Sequence, residues 1–141
     1  MNRIDCFIPS ASAEASQAVR LSLSSESEVA SVTCLDASNF RSTASVRRIA
    51  ASAQAPFTLI CLKVTDLSFI AFGLERFLSI AEDSDAAMVY SDHFNKVGDS
   101  VTEAPVIDCQ MGALRDDFDF GSVVIYRPAA LKEAVSRMDA D

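Results

Sequence analysis

The chain has 141 residues, of which 50% are hydrophobic and 23% charged, and its formal net charge is −8. This length corresponds to one domain, which can bury about two thirds of the surface that its unfolded chain exposes. The hydrophobic content, with only four glycines and four prolines, argues against disorder. The negative charge argues against a general nucleic-acid binder, because the phosphate backbone would be repelled.

The sequence predicts a cytoplasmic protein without a membrane span. It contains no stretch of the roughly 20 apolar residues that cross a bilayer, and its first residues form neither a basic leader nor a long apolar stretch. Cys6, Cys34 and Cys61 each lie within an apolar run, and no C-x-x-C pair occurs. Buried free thiols are therefore favoured over disulfides.

Five apolar runs predict the strands of a mostly parallel sheet. They cover residues 4–9, 31–37, 57–64, 86–92 and 120–127. The first three are almost continuously apolar, as strands buried on both faces are. The segments between them have helical character and fit crossover helices. We expect one α/β domain over residues 1–141, a Rossmann-like sheet with helices on both faces and right-handed connections.

Helix signals complete this pattern. Apolar residues recur with the helical period over 67–82, with Thr65 or Asp66 as the expected N-cap. Residues 95–116 have no sustained period and predict a long loop. Pro128 suits the first turn of a last helix.

The usual catalytic signatures are absent. The sequence has no G-x-G-x-x-G, G-x-x-x-x-G-K or G-x-S-x-G motif, which argues against the dinucleotide, nucleoside-triphosphate and hydrolase classes that carry them. His93 is the single histidine, so a site built from several histidines is excluded. We expect it to be a polar residue at a strand end.

Ligands of open α/β sheets bind beyond the carboxyl ends of the strands, near the point where the strand order switches. This rule selects a mixed set of acids, hydroxyls and one lysine that could bind a nucleoside and face a diphosphate. The candidates are Pro9, Ser10, Asp36, Lys63, Thr65, Asp66 and Asp92. They cluster only if the first strand lies between the second and the third. Asp36 could equally serve only to cap the next helix.

A second candidate is an acidic site formed by Arg115, Asp116, Asp117 and Asp119. In an extended segment Asp117 and Asp119 point to the same side. Two carboxylates on one face can hold a divalent cation or an arginine. The alternative is a solvated turn that enters the last strand.

The order of IDCFIP, SVTCLDASN, SVRRIAASAQA, PFTLICLK and AAMVYSD resembles the nucleotide-sugar half of family 2 glycosyltransferases. Residues 115–135 are similar to the segment that follows it, especially in bacterial members, so the resemblance covers nearly the whole chain. It implies the nucleotide-diphospho-sugar transferase fold and a nucleotide-diphosphate sugar as ligand. Pro9 would close the first strand, and Asp36 would contact the nucleoside.

The chain departs from this family at the metal motif. Where the family has Leu-Asp-x-Asp-Asp, this sequence reads Leu62-Lys63-Val64-Thr65-Asp66, so that Asp66 is the one remaining metal candidate. One carboxylate and a hydroxyl beside a lysine are a poor ligand set for Mg²⁺ or Mn²⁺. Lys63, the only cation among these strand ends, could instead neutralise part of the diphosphate.

Two functions remain open. The first is a glycosyltransferase domain that binds the donor; the second is a degenerate, non-catalytic interaction or scaffold module of the same fold. In the family the catalytic base comes from a later motif, and this sequence ends at Asp141. We therefore expect the N-terminal part of a longer enzyme, inactive by itself. Leu131 and Val135 would be available to a missing C-terminal segment or to a homodimer partner.

Overall fold

The computed structural model describes residues 2–63, 67–106 and 118–139 of the chain. Their strands are β1 (Ile4–Ser10), β2 (Val29–Asp36), β3 (Phe57–Cys61), β4 (Met88–Tyr90), β5 (His93–Val97), β6 (Ser100–Ala104) and β7 (Val123–Tyr126). Their helices are α1 (Ala13–Ser24), α2 (Thr43–Ser52), α3 (Gly73–Ser84) and α4 (Pro128–Ser136). None of these helices has both the length and the apolar content that crossing a membrane requires.

Five strands form one mixed sheet in the order β2-β1-β3-β7-β4. β1 pairs in parallel with both β2 and β3, which confirms that the first strand lies between the second and the third. β7 is inserted between β3 and β4 and runs antiparallel to both. The predicted mostly parallel α/β sheet is therefore present, with one reversed strand that the hydrophobic pattern did not indicate.

Helices cover both faces of this sheet, as predicted. On one face, α1 and α3 pack through Val19, Leu23, Leu74 and Leu78 against inward residues such as Ile4, Ile8 and Leu59. On the other face, α2 and α4 pack through Ile49, Ala50 and Leu131 against Phe7, Leu35 and Ile60. Successive residues of β1 thus enter opposite layers, which explains why this strand is almost continuously apolar.

The third helix is shorter than its hydrophobic period predicts. The expected helix over 67–82 begins only at Gly73, because Phe72 has a left-handed backbone with φ of 59°. A residue in that conformation cannot continue a right-handed helix. The predicted N-caps Thr65 and Asp66 lie outside the described residues.

Part of the predicted loop over 95–116 is ordered as a hairpin. β5 and β6 pair antiparallel, with Val97 opposite Ser100, so that Gly98 and Asp99 form a two-residue connection. Gly98 has φ of 60°, a conformation that glycine adopts without strain. Residues 107–116 of the predicted loop lie outside the described part of the chain.

Two burial predictions are wrong. Cys34 is exposed, because β2 is the edge strand of the sheet and much of it faces solvent. Leu131 is only 6% exposed and belongs to the core under α2 and α4, where Val135 also packs. The surface predicted to receive a missing segment or a homodimer partner is therefore already covered. Cys6 and Cys61 are free and buried, as predicted.

Candidate functional site

The carboxyl ends of β1, β2 and β3 bring three predicted site residues to one edge of the sheet. Ser10 is paired with Asp36 at the end of β1 and β2. Lys63 follows β3 by two residues, on the other side of β1. Asp36 and Lys63 thus flank the end of β1, at the switch in strand order where ligands of α/β sheets bind. Pro9 lies within β1, opposite Leu35, and does not close the strand as expected, because β1 continues to Ser10.

Asp36 is exposed and forms a local turn. Its Oδ1 accepts hydrogen bonds from the backbone N–H of Ser38 at 2.9 Å and from the Ser38 hydroxyl at 2.8 Å. These two bonds, the backbone one first, hold the pKa of the carboxyl below its ordinary value. Asp36 does not cap α2, because that role belongs to Ser42, whose hydroxyl accepts from the N–H of Ser45.

Ser10 lies next to the start of α1. Its hydroxyl is 2.8 Å from the Ser16 hydroxyl, which is also 2.8 Å from the Ser12 carbonyl. When Ser16 donates to the carbonyl, its oxygen can accept the proton of Ser10. Ser10 is half-buried, so its side chain is partly accessible at this edge of the sheet.

Lys63 forms an ion pair that bridges β3 and the start of β7. Its Nζ lies 3.0 Å from Oδ2 of Asp119, and both side chains are substantially exposed. Oδ1 of Asp119 accepts the N–H of Gly121 at 2.8 Å. The Lys63 ammonium, followed by the Gly121 N–H, holds the pKa of the Asp119 carboxyl below its usual range.

The antiparallel direction of β7 explains this pairing. Because β7 runs opposite to β3, its first residues lie at the edge where β3 ends, and the N–H of Leu62 donates to the Ser122 carbonyl at 2.8 Å. Asp119 therefore meets a lysine at that edge. Its predicted companions Arg115, Asp116 and Asp117, like Thr65 and Asp66, lie outside the described residues.

Arg41 is a second cation at this edge that the sequence interpretation missed. Its Nη2 donates to the carbonyl of Leu62, the residue before Lys63, at 2.8 Å. The expectation that Lys63 is the only cation at these strand ends is wrong. The turn after β2 carries Arg41 back over the end of β3. The sequence signal that could have identified Arg41 is its position in the turn that follows β2.

Asp92 lies apart from this group. It follows β4, which is separated from β1 by β3 and β7, a displacement of roughly 14 Å at about 4.8 Å per strand. Its Oδ1 accepts the N–H of Val106 at 2.7 Å, which ties the two ends of the hairpin together. Of the predicted set, the structure brings together Ser10, Asp36 and Lys63 but not Asp92.

Aromatic contacts anchor the segment that carries Asp119. Phe118 and Phe120 pack edge-to-face with each other, with ring centroids 4.6 Å apart, and Phe120 lies 5.2 Å from the ring of Tyr90 at the end of β4. The His93 ring packs against Gly121, where an added Cβ would lie 2.9 Å from Nδ1. These contacts fix the chain direction on both sides of Asp119.

The described residues do not fit a divalent metal. Residues 2–63, 67–106 and 118–139 hold no group of three or more histidine, cysteine, aspartate or glutamate side chains that could bind one. At the edge itself, the Lys63 ammonium occupies the neighbourhood of the Asp119 carboxylate. Mg²⁺ and Mn²⁺ require several oxygen ligands, whereas the described residues of this edge are two cations, one paired acid and the exposed Asp36.

Comparisons with protein-family models, with curated proteins and with solved structures found no significant match.

Proposed function

We propose that the edge formed by Ser10, Asp36, Arg41 and Lys63 binds a nucleotide-diphosphate sugar, and that the chain is the donor-binding domain of a glycosyltransferase with a Rossmann-like, nucleotide-diphospho-sugar transferase fold. One observation carries this proposal. An exposed carboxylate and two cations flank the end of β1 on opposite sides, at the switch in strand order. A nucleoside diphosphate has the matching polarity, with neutral donors at one end and negative charge at the other.

The cations would hold the diphosphate. Among the described residues Arg41 donates one N–H, to the Leu62 carbonyl. A guanidinium has five N–H donors, and the others would serve phosphate oxygens. Lys63 would exchange Asp119 for a phosphate oxygen. That exchange costs little, because exposed ion pairs contribute about 1 kcal/mol or less.

The carboxylate would hold the nucleoside. Asp36 stays ionised at neutral pH, since its pKa is lowered by the bonds from Ser38. An ionised carboxylate accepts hydrogen bonds from ribose hydroxyls or from the N–H groups of a base. The Ser38 bonds leave little freedom to the carboxylate, so its orientation is fixed before ligand arrives. The role of this chain in glycosyl transfer is then to bind and orient the donor.

Calorimetry on the 141-residue chain tests the proposal. Uridine, guanosine and thymidine diphosphates and their sugars are first screened by thermal shift, where a ligand at 100 times its Kd adds about 2.7 kcal/mol of stability. For the best ligand, Lys63→Ala and Arg41→Ala should each weaken binding by about tenfold, the loss of one charge-assisted hydrogen bond. Chelator should leave the affinity unchanged.

Lys132→Ala is the matched control. Lys132 is an exposed lysine on α4, a helix that begins at the opposite edge of the sheet because it follows the antiparallel β7. Its loss should leave the affinity unchanged. If no nucleotide binds, the result supports the alternative function, which is a non-catalytic scaffold of this fold. If Mn²⁺ strengthens binding strongly while Lys63→Ala has no effect, the site is metal-dependent and the cationic account is wrong.

A further inference from the structure

The hairpin of β5 and β6 is a separate two-stranded sheet among the described residues, and nearly all of its side chains are exposed. Phe94 is 59% exposed and Val101 61% exposed. A two-stranded ribbon is at best marginally stable in water by itself. Exposed apolar side chains on such a ribbon indicate a surface that gains stability when it is covered.

The register of the hairpin separates its two faces. Phe94 pairs with Glu103, and Lys96 pairs with Val101. Side chains of directly paired residues, and those two positions along a strand, lie on the same face. These four residues therefore form what we name the outer hairpin face. His93 is on the opposite face, which contacts Gly121.

The outer hairpin face has a self-complementary pattern. Its four side chains stand at the corners of a rectangle, spaced about 5 Å across the strands and about 7 Å along them. Phe94 and Val101 occupy one diagonal, while Lys96 and Glu103 occupy the other. A twofold axis along the apolar diagonal keeps each apolar corner in place and brings each charged corner to within about 3 Å of the other charged corner's position.

We propose that the outer hairpin face binds the same face of a second copy of this chain, with the twofold axis along the diagonal from Phe94 to Val101. Phe94 then lies on the partner's Phe94, and Val101 lies on the partner's Val101. Each Lys96 meets the partner's Glu103, so the dimer contains two such ion pairs. Because the diagonal makes an angle of about 35° with the strands, this axis makes the two hairpins cross at about 70°.

The charges favour a second copy over another kind of partner. The outer hairpin face has one cation and one anion, so it attracts neither acidic nor basic partners as a whole. A partner must present the same alternation to pair both charges, and this chain presents it. Four side chains from each copy give a contact below the roughly 1,200 Å² of stable interfaces. The dimer should therefore be weak and reversible.

Sedimentation equilibrium of the full 141-residue chain, without nucleotide, tests this proposal separately from donor binding. The wild type should show a concentration-dependent dimer, and Phe94→Ser should weaken it at least about tenfold. Val97→Ser is the matched control, since Val97 is 79% exposed and lies on the opposite face. A monomeric wild type, or equal losses in the two variants, would overturn the proposal.

Charge reversal tests the pairing itself. Lys96→Glu places two glutamates opposite each other at both charged corners, and Glu103→Lys places two lysines there. Each variant alone should be monomeric. A mixture of the two should associate, because every contact across the twofold axis then joins a lysine to a glutamate. If the mixture stays monomeric while each variant keeps the wild-type melting temperature, the proposed orientation is wrong.

Discussion

Lys63 and Asp119 are 56 positions apart in the sequence, and their charged groups meet at 3.0 Å. The contact exists because β7 enters the sheet beside β3 in the reverse direction. It gives the candidate site a built-in competitor. An anion that binds Lys63 competes with the Asp119 carboxylate for the ammonium.

Asp119→Asn should therefore strengthen diphosphate binding. The asparagine keeps an oxygen for the Gly121 N–H but removes the charge that pairs with Lys63. The gain should be a few-fold, because an exposed ion pair contributes about 1 kcal/mol or less. Titration calorimetry with the nucleotide found by screening measures it. Glu133→Gln, which breaks the exposed pair with Arg137 on α4, should change nothing, and weaker binding by Asp119→Asn would show that this acid belongs to the ligand site.

Gly121→Ala should destabilise the fold more than Gly98→Ala. Both glycines have positive φ, 86° and 60°, so both variants bear a backbone cost of about 1 kcal/mol. A Cβ at Gly121 would also lie 2.9 Å from Nδ1 of His93, whereas nothing lies within 4 Å of a Cβ at Gly98. Urea unfolding should give a larger loss for Gly121→Ala, and equal losses would contradict the His93 contact.

Removing the imidazole isolates that contact. In a His93→Ala background the Gly121→Ala substitution should cost only the backbone term, as Gly98→Ala does. The double-mutant cycle should then give a favourable coupling between the two substitutions. Additive losses would mean that the ring already moves aside at little cost.

Much of the sheet and part of the site could be predicted because their signals are local. The almost continuously apolar runs of β1 and β3 indicate strands buried on both faces. Ser10, Asp36 and Lys63 were found because a parallel sheet places its strand ends at one edge, wherever the helices between them lie. The inner position of β1 followed from the need for a switch point and is confirmed.

The remainder depends on contacts between distant segments. Nothing in the run that forms β7 shows its direction, and so its pairing of Asp119 with Lys63 was not predicted. The late start of α3 was not predicted either. Hydrophobic periodicity shows which residues are apolar, but it does not show that the backbone of Phe72 is left-handed. Cys34 has an apolar neighbourhood in sequence, but its exposure follows from the edge position of β2.

The described cysteines should differ sharply in reactivity. Burial raises the pKa of both Cys6 and Cys61 to about 12, so almost no thiolate exists at neutral pH, and thiolate is the reactive form. Cys34 is exposed. Iodoacetamide near pH 8 should modify Cys34 in the folded protein, and it should modify Cys6 and Cys61 only in denaturant. Peptide mass spectrometry identifies which cysteine is modified. Rapid modification of Cys6 in native protein would contradict its burial.

Asp5 is a structural carboxylate, and Asp5→Asn should destabilise the fold strongly. Asp5 is 6% exposed; its Oδ1 accepts from the Ser31 hydroxyl at 2.6 Å, and its Oδ2 accepts from the N–H groups of Gln54 and Ala55, both at 2.8 Å. An asparagine oxygen can keep the Gln54 and Ala55 bonds while its N–H₂ faces the Ser31 hydroxyl, so the variant loses the charge-assisted strength of all three bonds. We expect a loss of about 3 kcal/mol in the free energy of unfolding, measured in urea. Asp36→Asn, at an exposed carboxylate, should lose much less.

The same carboxylate should make stability depend on pH in acid. Burial opposes the charge of Asp5, but the bonds from Ser31, Ala55 and Gln54 outweigh it and hold the pKa of the folded carboxyl below its ordinary value. Its stabilisation is therefore complete above the unfolded pKa of about 3.9 and is lost as the pH falls through the folded pKa. The stability difference between wild type and Asp5→Asn should be constant from neutral pH to about pH 5 and shrink below about pH 4. Urea unfolding across this range measures it, and a difference that persists at the lowest pH would show that steric fit, not charge, is what the asparagine disrupts.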